Sequence, residues 1–198
     1  MLLALFQTKA DQPNIIYILA DDLGWGDLSC YGQKTLKTPN LDRLAKEGMR
    51  FTRHYAGSTV CAPSRCVLMT GLHTGHARIR GNGRSQLQSN DITFAKLLQQ
   101  HGYQTGCFGK WGIGSPPPLN DPYIHGFEEF FGYINMYHAH NYYPEFLIHN
   151  GNKVKLRNEL FDNWREERTG LQHEGSGVAK ITKDYAPKLI AERLISYI

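Results

Sequence analysis

An eleven-residue motif, Cys61–Gly71, combines a thiol, a cation and a helix start in the order Cys-Ala-Pro-Ser-Arg-Cys-Val-Leu-Met-Thr-Gly. The proline and the apolar stretch after it predict a helix that begins at Cys61 and runs to Leu72. Free backbone N–H groups and the dipole at a helix N-terminus favour an anion. Arg65, one turn further on, shares the face of Cys61 and can add a forked cationic contact. The motif therefore predicts an oxyanion-binding site beside a reactive side chain.

Other interpretations of the motif are weaker. A cysteine phosphatase loop needs its cysteine and arginine further apart, with glycines between them, and Arg65 follows Cys61 too soon. Ser64 is not a nucleophile candidate, because no histidine stands at a suggestive position and no nucleophile elbow is present. A buried cysteine in an ordinary helix start is the remaining alternative.

Two adjacent carboxylates, Asp21 and Asp22, follow the apolar run Asn14–Ala20. The run predicts a strand buried on both faces, and open α/β sheets place their sites at the carboxyl ends of such strands. Neighbouring carboxylates repel each other unless a cation is present, and hard oxygen ligands suit Ca²⁺ or Mg²⁺. A loop or a helix cap is the alternative role for this pair.

Three segments together resemble the signatures of the type I sulfatases. Cys61–Gly71 matches Cys-x-Pro-Ser-Arg-x-x-x-x-Thr-Gly, and Asp21–Asp27 resembles the first metal motif of that family. Gly102–Gly114 resembles the second signature, Gly-Tyr-x-Thr followed by Gly-Lys-Trp-His-x-Gly. The resemblance covers the chain from about Asn14 onward and corresponds to the N-terminal part of a sulfatase.

The resemblance implies a site and a chemistry. Cys61 is expected to be oxidised to formylglycine (3-oxoalanine) by a formylglycine-generating enzyme, and the hydrated aldehyde to attack sulfur. Arg65 and Lys110 are expected to stabilise the negative charge on the sulfate oxygens. Asp21, Asp22 and the modified residue 61 are carried over as ligands of Ca²⁺, with Mg²⁺ as the alternative. Asp27 is assigned a structural role.

One position departs from the family pattern. The residue after Trp111 is a histidine in the family, where it interacts with the formylglycine hydroxyl and helps to expel sulfate, but here it is Gly112. His138 and His140, in the aromatic segment Tyr137–Pro144, are the candidates for this role or for a substrate-binding rim. A polar loop with packed tyrosines is the alternative for that segment.

Other polar residues receive weaker assignments. His73 and His76 are predicted to support the loop after the motif helix. Arg78, Arg80 and Arg84 form a basic stretch that can face an anionic substrate, and exposed surface arginine is the preferred interpretation.

The elements around these motifs alternate between strands and helices. Helices are predicted from Thr38-Pro39 to Glu47, from Asp91 or Thr93 to Gln100, and over Asp184–Ile198. A second strand is predicted over Tyr103–Phe108. This order predicts an α/β fold with a mostly parallel sheet flanked by helices, and the resemblance makes the fold alkaline phosphatase-like, or sulfatase-like.

Composition bounds the remaining possibilities. The 198 residues carry a net charge of +4 without a basic run interleaved with aromatics, which argues against nucleic acid as a partner. Four cysteines without a Cys-x-x-Cys pair argue against a zinc site, and their low density argues against a disulfide framework, with a single bridge as the alternative. Residues 1–10 are too short for a membrane span. They are interpreted as the remnant of a truncated signal peptide, which would suit a periplasmic or secreted enzyme, with a disordered or docked N-terminus as the alternative.

Residues 11–198 are assigned to the N-terminal part of a sulfatase catalytic domain, so the predicted fold is incomplete. The family continues with a Pro-His motif, an Asp-Asn pair that completes the cation site, and a second lysine. Asp162-Asn163 comes too early for that pair. The predicted function is hydrolysis of a sulfate ester, with a sulfated small molecule or glycan as substrate. A phosphate or phosphonate ester hydrolase of the same superfamily and a non-catalytic fragment are the alternatives.

Overall fold

The computed structural model describes residues 12–83, 85–114, 121–161 and 174–198. The chain divides into two compact units, Met1–Thr52 and Arg53–Ile198. Within the described ranges, no helix combines the length and the apolar character that are needed to cross a bilayer.

The first unit holds helix α1 (Pro39–Glu47) and two 3₁₀ turns, Trp25–Asp27 and Ser29–Tyr31. Helix α1 begins with proline in its first turn, as predicted, and ends where the N–H of Gly48 donates to the carbonyl of Leu44 at 2.9 Å. Its N-cap, Thr38, is tied to the second turn, because its N–H donates to Ser29 Oγ at 2.7 Å.

The predicted strand over Asn14–Ala20 is not present. Residues 12–20 form no regular structure, and their apolar side chains are exposed, with Ile16 at 60% and Ile18 at 79%. A strand that is buried on both faces needs hydrogen-bonding neighbours and a covering layer on each face. Among the described residues no strand pairs with this run, so its β-branched composition does not produce a strand.

The second unit is built on a four-stranded sheet with the order β1-β2-β3-β4. These strands are β1 (Gly106–Lys110), β2 (Glu129–Tyr133), β3 (Phe146–His149) and β4 (Asn152–Lys155). A separate antiparallel pair is formed by β5 (Glu159–Leu160) and β6 (Ala179–Ile181). Strand β1 starts three residues later than predicted and includes Lys110.

The α/β class is confirmed, but the described sheet is mixed rather than mostly parallel. Strands β1 and β2 pair in parallel, whereas β2–β3 and β3–β4 are antiparallel. The β3–β4 connection is a two-residue turn in which Asn150 and Gly151 both have positive φ, 46° and 85°. An Asn-Gly turn of this kind favours a hairpin over a crossover.

Helices flank the sheet of the second unit: α2 (Cys61–Thr70), α3 (Phe94–Gln100), α4 (Asp121–Ile124), α5 (Met136–Ala139) and α6 (Ala186–Tyr197). The predicted cap of α3 is confirmed, since Thr93 accepts a hydrogen bond from the N–H of Lys96 at 3.2 Å. The predicted C-terminal helix is α6, with Pro187 in its first turn. The main core contains Trp111, Phe130, Ile79, Ile113, Ile134 and Ile148.

Strands β1 and β2 come closest where Gly109 faces Gly132. A Cβ atom on Gly132 would lie 2.0 Å from the carbonyl oxygen of Gly109, which is backbone and cannot rotate away. The parallel pairing that carries Lys110 therefore requires glycine at position 132.

Replacing Gly132 by alanine is expected to lower the free energy of unfolding by at least about 2 kcal/mol, because β1 and β2 must separate. The measurement is urea unfolding followed by circular dichroism. Gly81→Ala is the matched control, since a Cβ there meets nothing within 4 Å, and its effect should stay within about 0.5 kcal/mol. Equal unfolding midpoints for the two variants would contradict the close approach.

Candidate active site

Cys61 is the first residue of α2, and the N-terminus of this helix is capped by a residue that is distant in the sequence. The preceding residue, Val60, is extended (φ −130°, ψ 162°) and provides no side-chain cap. Instead, Asn82 Oδ1 accepts a hydrogen bond from the N–H of Ala62 at 3.1 Å and lies 3.5 Å from Cys61 Sγ. The half-buried thiol is thus held against a neutral amide.

Arg65 connects the motif helix to the end of β1. Its side chain is on the first turn of α2 and only 8% of the residue is exposed. Its guanidinium Nη1 donates a hydrogen bond to the backbone carbonyl of Lys110. This contact brings together two motifs that are 45 positions apart in the sequence.

After Lys110 the backbone keeps its hydrogen bonds to the end of β2 and to the residue that follows it. The N–H of Trp111 donates to the carbonyl of Tyr133 at 2.9 Å, and the N–H of Gly112 to that of Ile134 at 3.3 Å. Gly112 adopts a left-handed conformation with φ 74°. Lys110 and Gly112 therefore stand at the carboxyl end of β1, where α/β sheets place their sites.

A buried polar cluster fixes this end of β1. The indole Nε1 of Trp111 donates to Asp121 Oδ2, and His125 Nε2 lies 3.6 Å from Asp121 Oδ1. The rings of Trp111 and His125 are stacked with their centroids 5.9 Å apart. All three residues are buried, so a carboxylate that is shielded from water holds the indole in place.

Asp21 and Asp22 lie in the first unit, on exposed backbone after the apolar run, and Asp22 has a positive φ of 57°. Asp27 has the structural role that was predicted, because its Oδ2 accepts a hydrogen bond from the N–H of Gly24 at 2.7 Å. The two neighbouring carboxylates offer the oxygen ligands that a hard cation prefers, but Ca²⁺ takes about six to eight such ligands. Within the described ranges, no group of three or more metal-ligating side chains is assembled.

The two candidate histidines occupy different environments. His138 is fully buried, and its Nε2 lies 2.8 Å from the carbonyl oxygen of Phe146. Its ring packs against Tyr133 and Phe146, with centroids 5.1 and 4.7 Å away. His138 is therefore an interior residue and does not form a substrate-binding rim, whereas His140 is exposed at the end of α5.

Arg78 and Arg80 of the basic stretch lie at the surface. Arg78 makes a two-point contact with Asp91, with distances of 2.8 and 2.9 Å. Arg80 is exposed and donates to the carbonyl of Ala77 at 3.0 Å. His73 Nδ1 accepts a hydrogen bond from the N–H of Gly75 at 3.1 Å and supports the loop, as predicted. Arg84, Asp162 and Asn163 lie outside the described residues.

Sequence reasoning missed Asn82 and the partners of Trp111. Asn82 stands between two glycines, and Val60 has no side chain that can cap a helix, so a cap from elsewhere was to be expected. Asp121 and His125 are spaced by one helical turn and can share a face, but nothing in their spacing indicates Trp111 as their partner.

Replacing Asn82 by alanine should lower the free energy of unfolding by about 1 kcal/mol, because the N–H of Ala62 loses its cap. Asn82→Asp keeps an oxygen acceptor and should remain close to the unsubstituted chain. Thermal unfolding followed by circular dichroism compares the variants. An aspartate variant as unstable as the alanine variant would contradict the capping role.

Burial lowers the pKa of His138 to about 4, whereas an unfolded histidine titrates near 6.5. Between these values the unfolded chain binds a proton that the folded chain does not bind. Stability is therefore expected to fall as the pH drops from about 6.5 to about 4. In urea titrations across this range, His138→Gln should show a weaker pH dependence. An unchanged dependence would contradict the assignment of a neutral, buried imidazole.

The family model and the curated relatives that this chain matches agree on one family. Residues 13–176 match the family model described as Sulfatase. Human arylsulfatase D is 46% identical over 139 residues, covering 63% of this chain and 23% of that protein. Human steryl-sulfatase is 42% identical over 138 residues, covering 62% of this chain and 24% of that protein. The chain thus spans about a quarter of the length of the curated relatives it matches.

Solved structures agree in fold. One, from work on glycosaminoglycan metabolism by Bacteroides thetaiotaomicron, has a TM-score of 0.65 and 37% identity, covering 73% of this chain and 32% of that chain. Another, described as a complex with its substrate D-glucosamine-2-N,6-O-disulfate, has a TM-score of 0.64 and 33% identity. It covers 79% of this chain and 32% of that chain.

Proposed function

Because the chain belongs to the sulfatase family, we propose that it supplies the nucleophile and the oxyanion-binding groups of an enzyme that hydrolyses sulfate esters. The observation that carries this proposal is the hydrogen bond from Arg65 to the Lys110 carbonyl. It joins the helix that begins at Cys61 to the strand that ends at Lys110, so that a reactive residue and two cations belong to one assembly.

Arg65 and Lys110 would bind the sulfate group by different means. A guanidinium has five N–H donors in a planar fork, and Nη1 of Arg65 donates to the Lys110 carbonyl. Donors arranged in a plane match two oxygens of one oxyanion. The ammonium group of Lys110 acts as a compact point charge. Fixed positive charges of this kind stabilise charge that develops on the transferring group, which is usually a large part of catalysis.

Position 61 would provide the nucleophile. Once a formylglycine-generating enzyme and its oxidant have converted the cysteine, the hydrated aldehyde supplies an oxygen that can attack sulfur. The chain's own contribution is to hold residue 61 on the first turn of α2, beside Asn82, where helix N–H groups favour an anion. Net hydrolysis consumes one water and releases the alcohol and sulfate.

Asp21 and Asp22 are proposed as two of the oxygen ligands of a divalent cation, Ca²⁺ or Mg²⁺. A cation in this family would withdraw charge from a sulfate oxygen. The modified residue 61 is proposed as a further ligand. The adjacent carboxylates suit this role because two neighbouring negative charges are costly without a cation.

The proposed substrate is a sulfated small molecule or glycan. Relatives include a pig protein named N-acetylgalactosamine-6-sulfatase, which is 41% identical over 141 residues and is covered to 27% of its length. His140 is the exposed histidine of the segment proposed to contact substrate. A periplasmic or secreted location is proposed on the same family grounds.

The test is to produce the protein together with a formylglycine-generating enzyme and to assay an aryl sulfate and an aryl phosphate diester. We expect loss of sulfur from residue 61 in the peptide mass spectrum and preferential hydrolysis of the sulfate. Cys61→Ser should reduce turnover at least about a thousandfold, because the nucleophile is lost. Cys30→Ser is the control and should leave turnover unchanged.

Two outcomes would contradict the proposal. Preferential hydrolysis of the phosphate diester would assign the chain to phosphate ester chemistry. A converted residue 61 without turnover of either substrate would identify a non-catalytic fragment.

A further inference from the structure

Three tyrosines meet at the surface of the second unit, where the segment after α5 contacts the start of α6. The ring of Tyr185 lies 6.0 Å from that of Tyr142 and 5.4 Å from that of Tyr143, measured between centroids. Tyr142 and Tyr185 are 59% and 43% exposed. These three residues form the tyrosine cluster. Its rings stand at 73° and 43° to one another, so the cluster offers apolar ring surface and hydroxyl groups to one ligand.

The backbone that carries the tyrosine cluster is fixed by a buried asparagine. Asn158 Nδ2 donates to the carbonyl oxygens of Pro144 and Asp184 at 2.8 and 2.9 Å. In addition, the N–H of Ala186 donates to the carbonyl of Tyr142 at 3.0 Å. The two chain segments that present the rings are therefore tied together. A surface that is formed in advance loses little conformational freedom when a ligand binds.

A buried hydroxyl near the tyrosine cluster has no hydrogen-bond partner among the described residues. Tyr133 is only 5% exposed, and this unpaired atom is its Oη. Burial and the nearby hydroxyls of Tyr142 and Tyr185 raise the pKa of Tyr133, which indicates that its Oη faces these two residues. A buried hydroxyl without a partner is costly. A ligand that brings a hydroxyl of its own would remove this cost.

Tyr133 also connects the tyrosine cluster to the proposed sulfate site. In the parallel pairing of β1 and β2, Tyr133 is the register partner of Lys110. Neighbouring strands lie about 4.8 Å apart, and residues paired in this way project to the same face of the sheet. The N–H of Trp111 donates to the Tyr133 carbonyl at 2.9 Å. A sulfate group bound at Lys110 would therefore stand one strand away from Tyr133.

We propose that the tyrosine cluster and the hydroxyl of Tyr133 bind a sugar ring of a glycan substrate, beside the site that binds its sulfate group. The inference rests on the proposed function, since it takes Lys110 as a sulfate-binding residue, and it selects a glycan as the substrate class. A sugar ring has C–H groups on its faces, which pack on aromatic rings, and hydroxyls at its rim, which can pair with Tyr133. An aryl group that carries only its sulfate would cover the rings but offers no hydroxyl.

Tyr142 is the side chain that admits the ligand to Tyr133. Its backbone is held by the hydrogen bond from Ala186, but its ring is the most exposed of the cluster. Exposed side chains change rotamer within picoseconds to nanoseconds. Rotation of the Tyr142 ring would bring a sugar hydroxyl to the Oη of Tyr133, while Tyr185 stays as the surface on which the sugar packs.

The test measures binding of unsulfated disaccharides to the full chain by saturation-transfer difference NMR, using a panel built from glucosamine, galactosamine, galactose and fucose. We expect binding by a member of this panel, and titration then gives its dissociation constant. Tyr142→Ala and Tyr185→Ala should each raise this constant about fivefold, because an aromatic contact is lost. Tyr185→Phe keeps the ring and should retain most of the affinity.

Tyr133→Phe separates a ligand contact from a structural role. It removes only the hydroxyl that has no partner among the described residues, so the unfolding temperature should not fall. The dissociation constant should rise about fivefold, because the bound sugar loses a hydrogen bond. Tyr123→Ala is the matched control, since Tyr123 is an exposed tyrosine on α4 outside the cluster. Its dissociation constant should equal that of the unsubstituted chain.

Distinct results would overturn the sugar site and the function on which it rests. Absence of disaccharide binding, affinity unchanged by both alanine variants of the cluster, or an equal loss in Tyr123→Ala would overturn the sugar site. So would binding of 4-nitrophenol that is tighter and equally dependent on Tyr185, because the cluster would then be an aryl site. Disaccharide binding by a chain whose modified residue 61 turns over no sulfate ester would contradict the proposed function and leave the sugar site in place. Circular dichroism of each variant identifies any loss of binding that comes from unfolding.

Discussion

The hydrogen bond between the guanidinium of Arg65 and the backbone carbonyl of Lys110 is the contact on which the candidate site depends. It connects the N-terminal turn of α2, which presents Cys61, to the last residue of β1, which presents a lysine. Neither element carries the whole site, and the spacing of the two motifs along the chain says nothing about their distance in space. The fold brings them together, and the remaining contacts hold the two ends in place.

Close packing and buried hydrogen bonds surround this contact. Glycine stands at two points where a Cβ atom would meet neighbouring atoms: Gly132 lies against the carbonyl of Gly109, and Gly112 lies beside the aliphatic stems of Arg65 and Lys110. Asp121 anchors the indole of Trp111 in the interior, which fixes the turn after β1. Arg65 itself is buried, and a buried charge is tolerated only when it is hydrogen-bonded. The backbone carbonyl of Lys110 satisfies one of the donors of this buried guanidinium.

The sequence predicted well the elements that are specified locally. Helix α1 starts at Pro39 and α3 starts directly after its N-cap, Thr93, because prolines and caps act on the first turn of their own helix. The run Asn14–Ala20 was predicted wrongly as a strand, since burial on both faces depends on neighbours and not on β-branched composition alone. Strands β2 and β3 were not predicted, although Asn150-Gly151 is a recognisable hairpin turn. His138 could not be distinguished from the exposed His140, because both lie in the same short aromatic segment and only packing separates them.

The family follows from the match over residues 13–176, whereas the proposed site requires that Arg65 on α2 and Lys110 on β1 bind one oxyanion together. The most direct test of that cooperation is a double-mutant cycle on sulfate affinity, measured by calorimetric titration of the chain and of Arg65→Met, Lys110→Met and the double variant. If both cations contact one oxyanion, each single substitution weakens binding and the cycle gives a coupling free energy of about 0.5–3 kcal/mol. Additive effects, or sulfate affinity unchanged by either substitution, would contradict a shared oxyanion site.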